Sequence, residues 1–147
     1  MKDLFHFLWV TYFLKKGRIS LREINGNTIY HYFMGKELRV VADMSTAVDD
    51  NPLSADMYFV GTDIARIMGC SSRPRDKVMQ HQKYSHFIPE NGYLDVECKN
   101  GTIRPMRTMD FKAAISLVCS DPQSCLPIEQ KMALIEELCV LAKKYNI

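Results

Sequence analysis

Long hydrophobic runs are missing from this sequence. The longest apolar stretch, Leu4 to Leu14 (LFHFLWVTYFL), is interrupted by His6 and Thr11 and closed by Lys15-Lys16. A membrane-spanning helix needs roughly 20 apolar residues, so no membrane span is expected. The stretch also lacks the marks of a secretory leader, because Asp3 offsets Lys2 and no Ala-x-Ala cleavage pattern follows. Cysteine occurs five times, without a C-x-x-C pair or a regular spacing. That pattern points to reduced thiols in an intracellular compartment. Cys119 and Cys139, set among apolar neighbours, are expected as small core residues. The phosphate-cradling and nucleophile motifs G-x-x-x-x-G-K-[ST], G-x-G-x-x-G and G-x-S-x-G are absent. No internal repeat, low-complexity segment or linker divides the chain.

Net charge is also small, at +2 over 147 residues, but it is unevenly spread. The segment Thr62 to Lys83 holds Arg66, Arg73, Arg75, Lys77 and Lys83 against Asp63 and Asp76, a net of +3, which leaves −1 for the rest of the chain. Clustered positive charge is what a phosphate backbone responds to; on a bare surface it is also an ordinary solvated helix face. With 47% hydrophobic and 24% charged residues, the composition is that of a globular protein with a real core.

The order of elements predicts an α+β fold. ISLREI alternates, Asn25-Gly26-Asn27 is a tight-turn signal, and TIYHYFM is rich in β-branched and aromatic residues. Gly35-Lys36 marks a second turn before LRVVADM, so a small antiparallel meander is expected. Residues 45–56, with Asn51-Pro52, read as a surface loop. MYFVG is a short strand leading into a helix capped by Thr62, buried through Ile64, Ala65, Ile67 and Met68, and ended by Gly69. A second helix starts near Arg73-Pro74 and runs to Gln82. Tyr84 to Arg107 looks irregular or β, with YLDVEC and TIRPMR as a hairpin around Asn100-Gly101 and Pro105 at an edge or bulge. Thr108 is expected to cap a helix in which Phe111, Ala114, Ile115 and Val118 share a face. A last helix follows Pro127 to about Lys144, its apolar side formed by Met132, Ile135, Leu138, Cys139 and Leu141. Residues 1–16 stand apart as an apolar extension, and 17–147 form one unit.

A helix, a Gly-containing turn and a basic helix make the outline of a helix-turn-helix. A groove-facing helix needs Arg or Lys for phosphates and guanine edges and amides for adenine edges. The second helix supplies Arg73, Arg75, Lys77, Gln80 and Gln82.

The run MYFVGTDIARIMGCSSRPRDKVMQH resembles the N-terminal domain of baculovirus BRO proteins and of related phage antirepressors. Phe59, Asp63, Ile64, Ala65, Gly69, Arg75, Val78 and His81 occupy the places of that family's aromatic-Val/Phe-x-x-Asp-Ile/Val-Ala core and basic helix. The upstream TIYHYF and the downstream MRTMDFKAAISLVCSDPQSC also resemble the family, and the likeness covers most of Gly17 to Lys144. The sequence departs from the pattern at Cys70, where tyrosine is usual, at Ser71-Ser72, which shift the turn, and at residues 1–16. The resemblance implies a viral or phage protein, acting in the nucleus or cytoplasm of a host cell, that binds DNA and regulates transcription or host chromatin. It implies no catalysis and no cofactor. The expected contacts are Arg73, Arg75 and Lys77, with Arg66 and Lys83 on flanking phosphates and Gln80 and His81 on the same helix; double-stranded DNA is favoured over single-stranded.

Other chemistry is weaker. His81, His86 and Cys70 do not make a zinc set, which needs four ligands at suitable spacing. Asp49-Asp50 and Asp95/Glu97 lack the third carboxylate or lysine of a metal-dependent nuclease and read as solvated. His31 reads as a pleat residue. Tyr30, Tyr32 and Phe33 fit a stacking platform for single-stranded nucleic acid less well than ordinary cross-strand packing. The alternative function is a protein-interaction module that forms a homo-oligomer or docks through Phe5, Phe7, Trp9 and Phe13.

Overall fold

The computed structural model describes residues 23–69, 73–120 and 126–147. The extension 1–16, most of ISLREI and the turn Cys70-Ser71-Ser72 lie outside the described residues. The fold is α+β, as the order of elements predicts. Among the described residues six strands form one antiparallel sheet: β1 (Glu23–Asn25), β2 (Thr28–Phe33), β3 (Lys36–Asp43), β4 (Asp56–Val60), β5 (Tyr93–Glu97) and β6 (Ile103–Met109), in the order β1-β2-β3-β4-β6-β5. Among the described residues four helices accompany them: α1 (Gly61–Ile67), α2 (Pro74–Gln82), α3 (Phe111–Ser120) and α4 (Ile128–Tyr145). Among the described residues no helix is long and apolar enough to cross a membrane.

The first three strands are the expected meander, and β4 extends it beyond the loop of residues 45–56. The pair Phe33–Lys36 closes the second turn on Met34 and Gly35, one residue earlier than Gly35-Lys36 suggests. Both turn residues have positive φ (51° and 77°), the primed geometry whose twist matches a hairpin's strands. Strand β3 is buried on both faces. Leu38, Val40 and Ala42 join Ile29, Met57 and Phe59 in the main core, against Ile64, Met68, Leu117, Leu134 and Leu138 from the helices. Val41, pointing the other way as alternation requires, joins Tyr58, Val60 and Val96 in a second, smaller core.

That second core exists because the sheet curls. β6 pairs with β4 only at Phe59–Met109 and Val60–Thr108, then diverges with β5 as a hairpin. β5 is last in the strand order, yet it is tied to β2. Tyr30 Oη donates to the Glu97 carbonyl (2.8 Å), Asn27 Nδ2 donates to the Asp95 carbonyl (2.7 Å), and Thr28 Oγ1 accepts from the Glu97 N–H (3.1 Å). Pro105 falls in the diverging part of β6, where among the described residues β5 is the one strand paired with it and none lies on its other side.

Several local expectations change. α1 begins at Gly61 with no side-chain cap, so Thr62 lies inside the helix rather than at its N-cap; the strand runs straight into it. Thr108 is likewise still in β6, and Asp110 caps α3 by accepting the Ala113 N–H at 2.9 Å. On α4, Leu138 and Leu141 are buried and Ile135 packs against the core as expected, Leu134 and Tyr145 join them, and Met132 is exposed. Cys119 is exposed and Cys139 only half-buried, so neither is a fully buried core residue. His31 is buried, and its Nε2 is hydrogen-bonded to Tyr145 Oη at 2.8 Å, which fastens α4 to β2. Tyr30 is buried within the fold, so it offers no open stacking face.

Candidate nucleic-acid interface

The basic helix α2 has Pro74 at its first position, where the missing N–H costs nothing. Its inward side is Val78 and Gln82, both buried. Val78 meets α1 so closely that a methyl group placed on Gly61 would lie 2.4 Å from Val78 Cγ1. Only glycine permits that approach.

Gln82 is not a base reader. Its Nε2 donates to the carbonyls of Gly92 and Thr108 (2.9 Å each), and its Oε1 accepts from Arg107 Nη1 at 2.8 Å. The amide is spent inside the protein, joining the end of α2 to β6 and to the start of β5. His81 is also turned inward: its Nδ1 is hydrogen-bonded to Ser116 Oγ on α3 at 2.8 Å, and Lys77, one turn earlier on that side, is half-buried.

The expected contact residues therefore divide. Arg73, Arg75, Gln80 and Lys83 are exposed along the outer side of α2, with Asp76 and Met79 among them. The Arg73 side chain is 85% exposed, 3.8 Å from the partly exposed Asp76 carboxylate, too open a pair to neutralise it strongly. Arg66 on α1 is 61% exposed and 3.6 Å from the buried Asp63 carboxylate. Arg66 shares the Asp63 carboxylate with Arg39, which also lies 3.7 Å from Glu37. The motif acid Asp63 is thus an internal anchor and not a surface contact. Arg39, buried beside it, would lose its charge more easily for that burial, but the hydrogen bonds and charge of Asp63, together with Glu37, outweigh this and hold the guanidinium above its ordinary pKa.

The residues that follow α2 were not singled out by the sequence. Tyr84, Phe87, Ile88 and Tyr93 are exposed large side chains directly beyond the basic helix. Lys83 Nζ lies 5.1 Å from the Tyr84 ring centroid, and the Arg107 guanidinium lies 4.4 Å from that of Tyr93. The signal was the spacing Lys83-Tyr84-x-x-Phe87-Ile88, hidden because no regular periodicity marks an irregular loop. Among the described residues, no group of three or more His, Cys, Asp or Glu converges as metal ligands do.

Comparisons with family models, curated proteins and solved structures give no match.

Proposed function

We propose that the chain is a DNA-binding regulatory module of the BRO N-terminal kind, which grips duplex DNA with the outer side of α2 and controls transcription or chromatin inside a host cell. The observation that supports it is the exposed row Arg73, Arg75, Gln80 and Lys83 on a helix whose other side is anchored by Val78, Gln82 and His81. A rigidly backed helix holds its cations in place without further ordering cost, which favours phosphate binding. Arg66 extends the same charge onto α1, and Lys77 flanks it. No catalytic step or cofactor enters this reading.

The test is a salt titration of duplex binding. Affinity should fall steeply with salt, with a log–log slope of about −0.9 for each phosphate neutralised. Reversing Arg73, Arg75 and Lys83 to Glu should abolish binding with the circular dichroism spectrum unchanged. Normal binding by a folded triple variant would place the interface elsewhere.

A further inference from the structure

We propose that the segment from Lys83 to Tyr93 is a stacking ledge for unpaired bases, so that the protein prefers duplex DNA continuing into a single strand; this rests on the reading of α2 as a DNA-binding helix. The backbone of the ledge is pinned from below. The carboxylate of Asp110, itself buried, accepts the N–H groups of His86 (2.6 Å) and Phe87 (3.1 Å), while its other oxygen caps α3. Gln82 holds the far end through the Gly92 carbonyl. On this fixed backbone Phe87 is 75% exposed and Tyr84 47% exposed. The loop is thus built in, while its rings are left out of the core.

Charge identifies the occupant. Lys83 and Arg107 sit on the rings of Tyr84 and Tyr93. Asp110 is buried and spent, and Glu90 is the only acidic residue between Lys83 and Tyr93 in the sequence. Exposed rings, two of them with a cation over one face, match a chain in which every unit carries a base and a phosphate, and this is the combination used for single strands. Position supports the same occupant. Lys83 is eight residues beyond Arg75, about 12 Å along a helix at 1.5 Å per residue. A strand bound by its phosphates along α2 therefore reaches Tyr84 and Phe87 without leaving the cationic surface.

The experiment compares three probes at fixed salt: a blunt duplex, the same duplex with a short thymine overhang, and the overhang strand alone. The full chain should bind the overhang duplex roughly ten-fold more tightly than the blunt one, the order that one stacked base contributes. Phe87→Ala combined with Tyr84→Ala should remove that preference and leave blunt-duplex affinity unchanged; Phe87→Leu, which keeps apolar area but no ring, should remove part of it. Blunt-duplex binding with no overhang preference would overturn the ledge while α2 stands, as would a preference that survives the double variant. If no duplex is bound, the α2 reading fails, and the free strand then decides: binding weakened by the double variant upholds the ledge, and no such weakening overturns it. Loss of self-association in the double variant, without any effect on DNA, would assign the rings to a protein partner instead.

Discussion

Arg39 and Asp63 form a buried, two-pronged ion pair that fastens β3 to the first turn of α1. The Arg39 backbone N–H and Nε donate to Asp63 Oδ2 (3.0 and 2.8 Å), and Nη2 donates to Oδ1 (2.7 Å). Asp63 is fully buried and the Arg39 side chain is 5% exposed. Removing one partner strands the other charge in the interior, which costs about 3–5 kcal/mol. Asp63→Asn should therefore lower Tm by roughly 10–15 °C in a chain of this size. Arg39→Met combined with Asp63→Leu should recover most of the loss, because a hydrophobic replacement of both partners leaves no stranded charge. Thermal unfolding of the single and double variants decides, and a single variant as stable as the parent would refute the anchor role.

The contact between Gly61 and Val78 sets how closely the two short helices pack. Gly61→Ala should cost about 1–3 kcal/mol by overpacking, since the added methyl would overlap Val78 Cγ1. Val78→Ala alone leaves a cavity and is also destabilising. In the double variant the two losses should not add, because the cavity accepts the new methyl. Urea midpoints of the four proteins measure the coupling; strict additivity would mean that the helices part freely.

Arg73 occupies a left-handed backbone conformation (φ 48°, ψ 62°) at the start of α2. Such a conformation costs an L-residue about 1–2 kcal/mol, and glycine adopts it without penalty. Arg73→Gly should raise stability by up to that amount while weakening duplex binding. The two readouts moving in opposite directions would separate a residue kept for its charge from one kept for its fold. A drop in both would contradict this.

Glu137 on α4 is half-buried, and burial pushes its carboxyl pKa up, only partly countered by Lys144. A group with a raised folded-state pKa stabilises the fold fully while protonated and loses that contribution as pH rises through the raised value. At neutral pH the ionised carboxylate is therefore a cost. Glu137→Gln should raise Tm by a few degrees at most near pH 7, and the advantage should vanish once the pH falls below the usual carboxylate range. Melting curves across that interval test the sign.

Much of the fold is legible because it is written in local patterns. Alternation places β2 to β4, Gly26 and Gly35 sit at or beside their turns, and Pro74 opens α2 where a proline is tolerated. The helix starts are misread by sequence alone at Thr62 and Thr108. A cap requires the preceding strand to end, and both residues lie where the chain is still held by β4–β6 pairing or has already entered the helix. The outward cations Arg73, Arg75 and Lys83 are legible as charge. The inward turn of Lys77 and His81 is not, since it depends on α3 lying alongside.

By itself, then, the sequence determined the α+β order of elements, the placement of most strands and helices, and the concentration of positive charge in residues 62–83. Those properties follow from neighbours a few positions apart. Only the tertiary structure decided that Asp63 is an anchor for Arg39, 24 residues upstream, that Gln82 is consumed by Gly92 and Thr108, and that Phe87 stands on a loop clamped by Asp110. In each case a polar group leaving water had to find a partner, and which partner lay within reach was settled by how the sheet curls and the helices pack.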